Sequence, residues 1–112
     1  MKLLSITDGT SNTIMVGEKH VPLNTFGQGY LDSSTYNGDN PVSWGRVVYP
    51  IDSGIGLAQS LREPSWKFGS YHTAACLFAF CDGSVRGLPH GIDPNVLTWL
   101  GQCNDGQALP DY

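Results

Sequence analysis

The feature that most constrains this chain is an apolar run held between two polar marks. Nine residues, Thr73 to Cys81, separate His72 from the pair Asp82-Gly83. Within them, Ala74-Ala75-Cys76-Leu77-Phe78-Ala79-Phe80-Cys81 carries no charge. A short apolar run bounded by turn formers reads as one buried strand. Asp82-Gly83 then turns the chain into a second strand beginning near Val85. Asp-Gly favours a tight type I′ hairpin loop, which puts Gly83 at positive φ. By strand alternation Cys76, Phe78 and Phe80 share one side.

Similar signals place the other elements. Thr13-Ile14-Met15-Val16 is β-branched and predicts a strand over 13–18, with Gly17 marking a bulge or a close backbone approach. Ser43-Trp44-Gly45-Arg46-Val47-Val48-Tyr49 predicts another over 43–49, stopped by Pro50. Strands over 75–81 and 84–88 complete an antiparallel sheet. A helix is expected over 94–100: Asp93 suits its N-cap and Pro94 its first position. Ile92 and Leu97 can staple its start, and Gly101 sits where a left-handed C-terminal residue belongs. Val96, Leu97 and Leu100 fall on one face, which should lie on the sheet. Residues 21–43 read as a long surface loop anchored by Phe26 and Tyr30. Leu57 to Arg62 suggests one helical turn, and the tail 104–109 a short edge strand. The expected fold class is therefore α+β: an antiparallel sheet with a short C-terminal helix on it, rich in loops.

Glycine supplies 14 of 112 residues and charged side chains only 14%, which favours a loop-rich fold over a helical bundle. The length suits one globular domain over 1–112, with a loop region over 19–67 between segments at 6–18 and 68–108. A net charge of −4, with six scattered basic residues, argues against nucleic acid as a partner. No apolar run approaches the ~18 residues of a membrane span. Met1-Lys2-Leu3-Leu4-Ser5 is too short to be a complete signal peptide. Cys76 and Cys81 read as small buried hydrophobes on opposite faces of one strand, and Cys103 can reach either. No Cys/His spacing supports zinc, and no cofactor is expected.

His72 and Asp82 invite a catalytic reading, because a carboxylate can orient an imidazole. One straight strand between them spans roughly 33 Å, which forbids contact. The structural reading has Asp82 accepting backbone N–H bonds in its turn, while His72 closes a strand end or satisfies a loop carbonyl. Ser11, Ser70 and Ser84 lack the G-x-S-x-G setting of a nucleophile. Asp32, Asp39, Asp52 and Asp105 are oxygen donors in polar loops and the better chemical alternative, for calcium. Phe26, Tyr30, Trp44, Tyr49 and Trp66 read as core and loop anchors, or else as a sugar-stacking platform.

Two segments go beyond generic turns. Asp8-Gly9-Thr10-Ser11-Asn12-Thr13 followed by Gly17-Glu18 resembles the "DGTSNT…GE" signature of a large bacterial family. Phe68-Gly69-Ser70-Tyr71-His72 through Asp82-Gly83-Ser84-Val85-Arg86 resembles its "H-x9-DG" signature. The family is DUF1559, the prepilin-type processing-associated H-x9-DG proteins abundant in planctomycetes. The resemblance implies an exported or cell-surface protein, usually anchored by an N-terminal prepilin-like helix, with no established activity. Typical members begin with a prepilin cleavage site and a long apolar helix, which these residues do not show. The expectation is thus a non-enzymatic structural or interaction module, a pseudopilin-like head with protein partners at the cell surface or pseudopilus. The alternative is a calcium-dependent or carbohydrate-binding module. Asp8, Gly9, Ser11, Asn12, Glu18, His72, Asp82 and Gly83 are expected to be architectural. The two signatures should meet, with Glu18 or Asn12 near one of the turns.

Overall fold

The apolar run forms the central strand of a three-stranded antiparallel sheet. In the computed structural model, which describes residues 2–29, 32, 45–48, 56–64 and 66–112, β1 is Ile14–Gly17, β2 Ala75–Phe80 and β3 Val85–Pro89, in the order β1-β2-β3. A seven-residue helix, α1, runs over Pro94–Leu100. Three-residue 3-10 turns occupy Leu3–Ser5 and Thr10–Asn12. The expected α+β class, an antiparallel sheet with one short C-terminal helix, is the one observed.

Alternation along β2 decides where the core lies. Cys76, Phe78 and Phe80 are buried, and the intervening Leu77 is exposed. The buried row meets Leu88 of β3, Leu57, Ile92, and the Val96, Leu97 and Leu100 face of α1. Each large apolar side chain buried there contributes ~1.5–3 kcal/mol. Burial pushes the Cys76 thiol, with Glu18 nearby, up to about 12, so it stays protonated and behaves as a small hydrophobe. Cys81 differs from expectation: it lies beyond the strand, half-buried in the turn, and all three cysteines are free thiols.

Several local expectations change in detail. The β2–β3 loop is not type I′, because among the described residues the only non-glycine at positive φ is Asn24. Gly83 N–H donates to the Phe80 carbonyl (2.9 Å), Phe80 N–H donates to Ser84 O (2.9 Å), and Gly83 has φ 84°. That is a three-residue loop, in which glycine takes the left-handed position after an ordinary turn. In β1 the register slips between Ile14 and Val16, so Met15 is the extra residue of a bulge. Gly17 admits no side chain, because a Cβ there would overlap the Phe78 ring, with Phe68 close behind. The approach is by aromatic rings and not by backbone.

Asp93 caps α1 as expected, accepting from Asn95 N–H at 2.8 Å. Gly101, however, has φ −82° and is right-handed. Its glycine is required for space, since a Cβ would overlap Val48 Cγ2. The expected strand over 43–49 reduces, within the described 45–48, to a bridge between Val47 and Lys67; Ser43, Trp44 and Tyr49 lie outside the described residues. Val48 instead serves α1, accepting a hydrogen bond from Thr98 Oγ1 at 2.6 Å. The expected helical turn at 57–62 is an irregular turn. Glu63 carboxylate takes the Gln59 and Ser60 N–H groups at 2.7 and 3.0 Å, which are then not spent on helical carbonyls. The tail forms no strand, because Asp105 and Gly106 N–H bind a side chain, the Asp8 carboxylate. Among the described residues no helix is long and apolar enough to cross a membrane.

Candidate functional site

The DGTSNT segment folds back on itself before it meets the rest of the chain. Gly9 takes φ 92°, Asn12 Nδ2 donates to Asp8 O at 3.2 Å, and Thr13 Oγ1 donates to Gly9 O at 3.1 Å. This leaves the Asp8 carboxylate facing the tail, where it accepts from Asp105 N (2.8 Å) and Gly106 N (3.1 Å). Ser11 is exposed. The carbonyls of Thr10 and Thr13 accept from Asp82 N (3.0 Å) and Cys81 N (2.9 Å). The turn of the second signature therefore hangs on the loop of the first, as expected.

Glu18 makes the other junction. Its N–H donates to Leu77 O at 3.2 Å, while its own carbonyl turns away to accept from Gly69 N at 3.0 Å. The ladder would lose an acceptor here, and the Glu18 side chain supplies one: Oε2 takes Leu77 N–H at 2.7 Å. The other oxygen, Oε1, lies 3.3 Å from His72 Nε2. His72 is 63% exposed at its side chain, so the contact is a surface one.

Asp82 behaves as a turn residue. It accepts from Ser84 N (2.9 Å) and Ser84 Oγ (2.6 Å), with Arg86 Nη2 at 3.6 Å. The Ser84 bonds hold its carboxyl below the usual range. The Arg86 guanidinium also sits 4.2 Å from the Phe80 ring centroid. His72 and Asp82 share no hydrogen bond or ion pair; they stand at opposite ends of β2.

Of the proposed oxygen donors, Asp32 and Asp105 are described, and each is engaged by its own neighbours. Asp32 pairs with Lys19 at 2.7 Å and accepts from Gly27 N at 2.9 Å; the backbone bond, then Lys19, keeps its pKa low. Asp105 Oδ1 accepts from Gln107 N at 2.9 Å. Asp39 and Asp52 lie outside the described residues, as do Tyr30, Trp44 and Tyr49. Among the described residues no three His, Cys, Asp or Glu side chains are grouped to hold a metal. Trp66 is partly exposed with Lys67 Nζ 5.8 Å from its ring centroid, and Phe26 lies 5.7 Å from Tyr71.

A cleft that sequence reasoning missed opens beside His72. It measures about 250 Å³, and His20, Tyr71 and His90 line it with His72. His20 is 2% exposed, and burial lowers its pKa against the opposing pull of the Glu63 carbonyl. Tyr71 Oη donates to Val21 O at 2.7 Å, which fixes the ring over the loop. His20 and His90 carried no local signal, since each stands alone in a polar connector. Only Tyr71, beside His72, lay within a motif.

The model of a family described as a protein of unknown function (DUF1559) matches residues 1–95. The chain belongs to that family. The family membership expected from the two signatures is borne out, and the match takes in β1, β2, β3 and the start of α1 in this DUF1559 member. No curated protein and no solved structure matches the chain.

Proposed function

We propose that the chain is a non-enzymatic structural or interaction module, the globular head of a pseudopilin-like exported or surface-associated protein with protein partners at the cell surface. The observation that supports this reading is how the two signatures use their carboxylates. Asp8, Glu18 and Asp82 each hold backbone N–H groups, at 2.7 to 3.1 Å. A carboxylate whose lone pairs already complete a ladder or fasten a turn is poorly placed to serve as a general base, because taking a proton competes with those bonds. The signatures then read as a folding device for the head, and surface loops are left to meet partners.

Protease shaving of intact cells that carry the complete gene tests the reading. The head should be digested or released before lysis. A chain protected until the cells are lysed overturns the surface assignment. A well-folded His72→Ala protein that loses a specific catalytic activity would overturn the non-enzymatic part.

A further inference from the structure

All three histidines of the chain, His20, His72 and His90, line the same cleft of about 250 Å³. Two have their tautomer set by the backbone. His20 Nε2 lies 3.0 Å from the Glu63 carbonyl, and His90 Nε2 lies 2.8 Å from the His72 carbonyl. A carbonyl only accepts, so we assign the proton to each Nε2, which leaves a lone pair on each Nδ1 of the neutral rings. Neither Nδ1 has a protein partner among the described residues, and neither is a sealed, unsatisfied atom. Both rings line the cleft, and each carries an unprotonated Nδ1.

The rest of the lining narrows the ligand. Gln59, Ser60 and Ser70 add amide and hydroxyl groups, and among the described residues no Asp, Glu, Lys or Arg lines the cleft. The Glu18 and Glu63 carboxylates touch lining residues, but they are already engaged by Leu77 N–H and His72, and by Gln59 N–H, Ser60 N–H and Lys67. Tyr71 is 46% exposed, with its ring centroid 5.7 Å from that of Phe26 and 6.5 Å from that of His20. A half-exposed ring held in place by its own hydroxyl suits a flat, weakly polar face. The volume falls below the ~300–1,000 Å³ of pockets for drug-sized ligands, so the occupant is one small ring.

We propose that this cleft binds a single neutral sugar unit. One of its hydroxyls donates to His90 Nδ1, and its C–H face lies on Tyr71. The proposal does not depend on the pseudopilin-like reading, since a head of any attachment can carry it.

The test is an NMR titration of the isotope-labelled chain, at a pH where imidazoles are neutral, with glucose, galactose, N-acetylglucosamine and rhamnose in turn. At least one sugar should give saturable shifts at Tyr71, His72 and His90. His90→Ala, with a well-dispersed spectrum, should bind that sugar at least ~10-fold more weakly. Should that variant unfold, the shift map of the unaltered chain decides. Absence of saturable shifts with all four sugars overturns the proposal. So do shifts that centre on Leu77 and Val85, an unchanged affinity in folded His90→Ala, or tighter binding of acetate or phosphate than of any sugar.

Discussion

At one end of β2, Asp82 takes its hydrogen bonds from Ser84, two residues away. At the other end, Leu77 N–H and the His72 ring both turn to Glu18, which precedes Leu77 by 59 residues. His90 adds a bond to the His72 carbonyl across 18 residues. The hairpin end closes its loop with its own short segment, which can form as soon as the chain reverses, and the Thr10 and Thr13 carbonyls then dock on it. The histidine end closes only after β1, the 56–64 connector and the 90–92 turn have arrived. Loop-closure entropy makes such long-range closures form late and depend on the rest of the fold. The same contrast bears on where the cleft lies: at the histidine end several distant segments converge around a concave gap, whereas the hairpin is one tight loop met by the 10–13 segment.

Both ends depend on the strand between them, so the largest effect should come from the core. Phe80→Ala should cost ~3–5 kcal/mol, read as a lower melting temperature or denaturant midpoint, because Phe80 is fully buried. Melting at the unaltered temperature would remove Phe80 from the core. At the hairpin end, Gly83→Val should cost ~1–3 kcal/mol, because a β-branched residue is strained at φ 84°. A Cβ at Gly83 meets nothing within 4 Å, so the loss would be conformational strain and not a clash. An unchanged denaturation midpoint would show that the turn relaxes without cost.

At the histidine end, Glu18→Ala should cost about 1 kcal/mol by leaving Leu77 N–H without its carboxylate. Glu18→Gln should restore most of it, because an amide oxygen can still accept. Equal losses in both variants would mean that charge, not the ladder bond, matters at Glu18. The pH dependence should also originate at this end. Burial lowers the His20 pKa below its ordinary 6.5, so the unfolded chain takes up the proton first. The stability from neutral His20 is present above pH 6.5 and is lost as pH falls through the lower folded value. Melting temperatures should therefore drop on acidification in that window, and His20→Gln should flatten the drop. The smallest effect belongs to His72→Ala, at most ~1 kcal/mol, since its pair with Glu18 is exposed.

Residue patterns carried the local half of this protein. Alternation of Cys76, Phe78 and Phe80 placed the core face, because a strand turns successive side chains to opposite sides. Asp93-Pro94 placed the start of α1, because a cap needs only its own backbone. Gly83 at positive φ was legible for the same reason. Tertiary structure decided whatever depends on a neighbour far along the chain. Gly101 serves as a space for Val48 and not as a left-handed cap, Gly17 as a space for the Phe78 ring, and the tail binds Asp8 in place of a sheet edge. Glu18 was legible as part of a signature, but its task of completing the ladder depends on where its own carbonyl turns. The convergence of His20, Tyr71, His72 and His90 on one cleft left no trace in spacing or composition, because their side chains meet only through the packing of separate segments.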